Sequence, residues 1–139
     1  MPLKLSLKPG EKFVCNGAVL TNGDRRISLV IENRASILRD RDIMQPDDAT
    51  TPAKRIYFPI MMLYLDSEHA KVHQEEFGRR LAEFMEVVSD REVLKTCVAI
   101  SRDVAEGHYY KALIKCRQLF DFEQSRLNYV GPGLSEDAS

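Results

Sequence analysis

The chain has 139 residues, 44% hydrophobic and 29% charged, with a formal net charge of -1. That is enough for one domain or two small fused modules, and the apolar content excludes disorder throughout. The charge balance excludes a strongly basic protein that coats nucleic acid.

The first part of the chain reads as short strands. Leu3, Leu5 and Leu7 alternate with Lys4, Ser6 and Lys8, the period of a half-buried strand. Pro9-Gly10 suits a type II turn. Phe13, Val14 and Cys15 form a second strand. Asn16-Gly17 is the strongest two-residue hairpin signal and leads into a third strand over residues 18–21. Asn22-Gly23-Asp24 turns the chain again. Ile27, Leu29 and Ile31 alternate with Arg26, Ser28 and Glu32 in a fourth strand, and residues 35–39 read as a fifth. Five strands in so little chain predict a small antiparallel meander. So short a sheet must close on itself, pack on helices, or dimerise.

The remainder reads as helical. Residues 40–45 suit a short helical turn ended by Pro46, and 47–51 a polar linker. Thr51-Pro52 is an N-cap followed by proline at the first helical position. Residues 56–65 form a ten-residue apolar run, half of what a bilayer needs, so a buried or interface helix is expected. Pro59 is expected to kink it or to start a second segment. Ser67 is a cap candidate for a helix over 68–88, with Phe77, Leu81, Phe84, Met85 and Val88 as its stripe. Ser89 or Asp90 starts the next helix, with stripe Val93, Leu94, Cys97, Ile100, Ser101 and Val104, and Gly107 ends it. Tyr109, Leu113, Cys116, Phe120 and Leu127 form the last stripe, followed by an acidic tail expected to be flexible. The expected fold is thus α+β: a small N-terminal antiparallel β-sheet of about five strands, then a C-terminal bundle of about four helices. The expected modules are 1–45, 46–127 and a tail over 128–139.

Charge is uneven along the chain. Residues 1–45 carry eight lysines and arginines against five acids, a net +3 that leaves -4 for the rest. Lys4, Ser6 and Lys8 on the first strand, Arg25 and Arg26 at the fourth, and Arg39 and Arg41 around the fifth are candidate contacts for single-stranded RNA. Phe13 is the only aromatic before Tyr57, so base stacking has no platform there. Ile56, Tyr57, Met61 and Met62 in the apolar run are candidate contacts for a protein partner.

Signals for catalysis are weak. No P-loop, nucleophile elbow, GxGxxG or HExxH pattern occurs. His69 and His73 sit four residues apart, with Glu76 a turn further on, but no third strong ligand is in view. A solvated helix face is the expected role, and neither a metal nor a cofactor is expected. His108 reads as a local cap. Three widely spaced cysteines without a CxxC pattern fit core packing in a reducing cytoplasm. Glu75/Arg79 and Glu76/Arg80 read as surface ion pairs. Residues 1–10 carry two lysines and no sustained apolar run, so no secretory signal is expected.

Four blocks make the chain recognisable: PLKLSLKPGEKFVCNGAVLTNGDRR, ILRDRDIMQP, TTPAKRIYFPIMMLYLD and KALIKCRQLFDFE. They closely resemble the FlbT family of flagellin-synthesis repressors of alpha-proteobacteria, over roughly residues 2–127. The resemblance implies a cytoplasmic post-transcriptional regulator of flagellum biogenesis. Such a protein associates with the 5′ untranslated region of flagellin mRNA, promotes its degradation, and acts in a pathway with FlaF, a small helical regulator. The alternative is a protein-binding module acting on flagellin or a FlaF-like partner, with only an indirect effect on RNA. A dimer or higher homo-oligomer is compatible with either.

A second resemblance, over about 45 residues, is to CsrA-type RNA-binding regulators. It rests on residues 3–8, Pro9-Gly10-Glu11, Asn16-Gly17 and residues 36–40. In that family the outer strands one and five form the RNA surface, which nominates Lys4, Ser6 and Arg39. Leu38 stands where that family has a polar residue, and the helical part has no counterpart there.

Overall fold

A computed structural model describes residues 3–134, with side chains through residue 126. The chain divides into two compact units, Met1–Ile43 and Met44–Ser139.

The first unit holds five strands: β1 (Leu3–Leu7), β2 (Lys12–Cys15), β3 (Ala18–Thr21), β4 (Ile27–Ile31) and β5 (Ile37–Arg39). All pairings are antiparallel. The local turns form as their residues dictate. Gly10 has φ 73° and the Glu11 amide donates to the Lys8 carbonyl, while Asn16 and Gly17 have φ 50° and 84° and close the β2–β3 hairpin.

The pairing order departs from the expected meander. β1 pairs with β4, and β2 lies between β3 and β5. Asn22 explains the crossing. Its side-chain amide donates to the carbonyls of Leu7, Lys8 and Arg25, and its backbone amide donates to Glu11. One residue therefore holds the end of β1 against the turn that leads into β4. Leu5 and Leu7 of β1, Phe13 and Val14 of β2, and Ile37 and Leu38 of β5 are buried. Every residue of β3 is exposed, Val19 at 68%.

The second unit is a helical bundle: α1 (Pro52–Leu65), α2 (Ala70–Val87), α3 (Arg91–Ala105) and α4 (Tyr109–Leu134). α1 packs on α2 and α4, and α3 packs on α4. Two caps form as the sequence predicts. The Thr51 hydroxyl accepts from the Lys54 amide, and the Asp90 carboxylate accepts from Glu92 and Val93. Gly107, at φ 80°, follows α3.

Other expectations change. α1 is one helix that passes through Pro59. Pro46 and the first two residues of the expected linker form a 3₁₀ turn, and Ser67 opens another that precedes α2 instead of capping it. Arg79 pairs with Glu76 and Glu83, not with Glu75. Of the expected tail, 128–134 continue α4, and 135–139 lie outside the described residues, as does the Leu127 side chain.

The bundle core is continuous, and Ile56, Ile60, Cys97, Ile100, Ala112, Leu113 and Cys116 are fully enclosed. The Tyr57 and Phe120 rings meet with centroids 5.4 Å apart. No described helix is long and apolar enough to cross a membrane.

Candidate nucleic-acid interface

β1 turns Leu5 and Leu7 inward and leaves Lys4 and Ser6 exposed, followed by exposed Lys8. Across the ladder, Lys4 faces Val30 and Ser6 faces Ser28. Arg26, just before β4, reaches the same face, where its guanidinium donates to the Ser6 hydroxyl at 3.4 Å. Lys4, Ser6, Lys8 and Arg26 are thereby brought together. Arg25 is exposed, and its carbonyl is held by Asn22.

Arg39 is engaged within the β-rich unit. Its guanidinium donates to the Ser6 carbonyl at 2.6 Å and to the Glu11 carboxylate at 3.1 Å. The other Glu11 oxygen accepts from the Lys8 amide at 2.9 Å. These contacts tie β5, the turn after β1, and β1 itself. The Lys8 amide foremost holds the Glu11 carboxyl below its usual range; desolvation opposes it, and Arg39 then adds to the lowering. Arg39 is thus largely committed to the fold. Arg41 stays 79% exposed beside Asp42, 3.9 Å away. Lys8, Pro9, Gly10, Glu11, Arg39, Asp40 and Arg41 line a shallow groove of about 500 Å³. Three cations and two carboxylates face it, so its net charge is weakly positive. Phe13 is buried and presents no stacking surface.

The four residues expected to meet a protein partner are placed otherwise. Ile56, Tyr57 and Met61 are buried inside the helical unit and Met62 is half-buried. An apolar run on every side of a helix belongs in a core, and that is where this one packs. The helical unit has instead a cleft of about 700 Å³ at one end of the bundle. Phe84, Val87, Val88 and Phe122 supply its apolar wall, with Arg126 and Glu123 beside them. Glu123 accepts from the Thr51 hydroxyl and the Ala53 amide, so it also holds the start of α1.

Cys97 and Cys116 are not poised for chemistry. Burial pushes the Cys97 thiol up to about 11 and raises Cys116 further. Glu76 is held low by Arg80 first and then Arg79, a surface network on α2.

The chain combines a β-rich unit that carries exposed lysines and arginines with a helical bundle. The comparisons are specific. The family model described as flagellar protein FlbT matches residues 3–127, and the chain belongs to the FlbT family. It is 59% identical over 135 residues to the flagellum biosynthesis repressor protein FlbT of Caulobacter vibrioides strain CB 15, covering 97% of this chain and 96% of that one. It is 60% identical over 130 residues to a probable flagellum biosynthesis repressor of Caulobacter sp. strain K31, covering 94% and 99%. To the corresponding protein of Rhodopseudomonas palustris strain CGA009 it is 37% identical over 129 residues, covering 92% and 99%. These names designate regulators and not catalysts. No solved structure matches the chain.

Proposed function

We propose that this chain represses flagellum biosynthesis after transcription, in the cytoplasm, by direct contact between its β-rich unit and the 5′ leader of flagellin mRNA. The observation that carries the proposal is the convergence of Lys4, Ser6, Lys8 and Arg26 on one exposed face, with Arg41 in the groove that Lys8 also lines. Single-stranded RNA lies along such a face through its phosphates. Arg39 acts as a positioning residue that fixes Ser6 and the turn at Lys8. With no exposed aromatic in this unit, bases are read by backbone groups and arginine, and affinity depends mainly on phosphates. Bound there, the protein blocks ribosome entry or reshapes the leader so that nucleases act.

The test is a gel-shift titration of a flagellin leader transcript at several salt concentrations. Lys4→Ala, Lys8→Ala and Arg41→Ala each weaken binding, and each reduces the slope of log affinity against log salt by about 0.7. A salt-independent affinity, or a Lys4/Lys8/Arg26 triple alanine variant that binds like wild type, overturns the proposal.

A second reading is favoured by the bundle-end cleft: a FlaF-like protein or flagellin docks on the helical unit, and RNA levels change indirectly. Nuclease-resistant co-purification with such a partner, lost in Val87→Asp, supports this reading against the first.

A further inference from the structure

The corner between α1 and α2 gathers two imidazoles on one carboxylate. Asp66 ends α1, and the chain then makes a single 3₁₀ turn, Ser67–His69, before α2 begins. An aspartate in that position ordinarily caps the backbone that follows. Asp66 makes no such cap. Its Oδ2 lies 2.9 Å from His69 Nδ1 and 3.1 Å from His73 Nε2, and its Oδ1 lies 3.1 Å from His69 Nδ1. The Glu68 carboxylate lies within 4.8 Å of the Asp66 and His69 donor atoms.

We propose that Asp66, His69 and His73, with Glu68 in reach, form a binding site for one divalent transition-metal ion of the zinc type. The argument is geometric first. Tetrahedral coordination at zinc–nitrogen and zinc–oxygen bond lengths sets donor atoms about 3.3 Å apart. Each imidazole already lies that close to Asp66, while the two rings stand with centroids 6.5 Å apart, so binding draws His69 and His73 together around the ion. The pattern Asp-x2-His-x3-His sets His69 at the end of the 3₁₀ turn and His73 in the first turn of α2, and brings the carboxylate from the preceding corner. Imidazole donors select zinc, cobalt, nickel or copper over calcium and magnesium.

Proton balance is simple. Without metal, each imidazole donates a ring N–H to Asp66, since an ionised carboxylate only accepts. On coordination, that proton moves to the other ring nitrogen, and His69 Nδ1 and His73 Nε2 give their lone pairs to the ion. Asp66 thus faces both imidazoles through its two carboxylate oxygens. Glu76, the carboxylate that helical spacing suggests as a third donor, is engaged by Arg79 and Arg80. The other cluster of similar composition, Asp103, Glu106 and His108, differs in one respect: Lys115 already sits on Asp103 at 2.5 Å. The Asp66 corner has no lysine or arginine among its hydrogen-bond partners. A bound ion joins the end of α1 to the first turns of α2.

The experiment uses untagged, chelator-treated, full-length protein titrated with cobalt(II), then with zinc(II). One equivalent of cobalt is expected to give the visible d–d bands of a tetrahedral nitrogen/oxygen site. Zinc bleaches them and raises the melting temperature. His69→Ala removes a side chain that is 65% exposed and leaves the fold intact. It weakens binding at least about tenfold, as does His73→Ala. His108→Ala binds like wild type. The proposal is overturned by any of three results: no cobalt band in the wild type, binding unchanged in His69→Ala, or a near-ultraviolet thiolate charge-transfer band that puts the ion on a cysteine.

Discussion

The two units of this chain spend their charged and polar residues differently. In the helical unit, ion pairs decorate a bundle whose stability comes from a continuous apolar core, as in the Glu76–Arg79–Arg80–Glu83 network on α2. In the β-rich unit the core is thin, and polar side chains take over the work of assembly. Asn22 holds three carbonyls, Asn16 receives the Ser36 amide, and Arg39 and Glu11 tie β5 to the turn after β1. Lys4, Lys8, Arg25 and Arg41, by contrast, remain exposed. The β-rich unit thus uses some of its cations as braces and leaves others exposed. The helical unit offers an apolar cleft instead.

Thiol chemistry gives the largest contrast. Cys15, in the β-rich unit, is half-buried, whereas Cys97 and Cys116 lie fully inside the bundle with raised thiols. A neutral thiol reagent at pH 8 modifies Cys15 first. Cys97 and Cys116 react only through opening of the bundle, slower than in denaturant by roughly a thousandfold or more. Mass spectrometry over time reads the order. Equal rates at all three positions break the comparison by showing that the bundle opens as readily as the sheet.

Next in size is the apolar core. Leu113 is fully buried on α4, and Leu113→Ala costs about 2–5 kcal/mol. Val19, 68% exposed on β3, changes stability by no more than about 0.5 kcal/mol when cut to alanine. Urea midpoints at an unchanged slope check both.

Glu123 sharpens the same contrast from the polar side. It is one of the few charged groups that the bundle uses as a brace, through the Thr51 hydroxyl and the Ala53 amide. Glu123→Ala costs about 1–2 kcal/mol, since it frees a donor at the start of a helix and a half-buried hydroxyl together. Amide exchange is expected to rise in the first turn of α1 and to stay unchanged in α3.

What the sequence makes legible follows the range of the interaction. Pro9-Gly10, Asn16-Gly17, Thr51-Pro52 and Asp90 act on their own neighbours, and each forms the turn or cap that its chemistry predicts. The α+β class follows from two periodicities read over short windows. The β1–β4 pairing is not legible, because it depends on Asn22 reaching carbonyls 14 and 15 residues away. Arg39 has the same difficulty. Its basic character suggests a ligand contact, but its partners lie 28 and 33 residues distant. The His69–His73 spacing is visible, whereas the carboxylate that meets both histidines comes from the corner before the helix. A search for donors in the preceding loop, and not only further along the helix, finds Asp66.

The smallest effect separates the units by pH. The Glu11 carboxyl is lowered from its ordinary value of 4.5 by the Lys8 amide and then by Arg39. A carboxyl lowered in the folded state contributes stability that is present above its unfolded value and disappears as pH falls through the folded one. The contribution is therefore whole at pH 7 and fades from about pH 4.5 downward. Asp66 and Glu76 of the helical unit are lowered too, so acid weakens both units of the wild type. Glu11→Gln isolates the β-rich part. Its urea midpoint lies below the wild-type value at pH 7, and the gap narrows as pH drops below 4.5, because the protonated Glu11 has lost the same charge. A gap that widens on acidification shows that Glu11 is not the brace on Arg39 and Lys8, and removes the distinction between bracing and exposed cations in this unit.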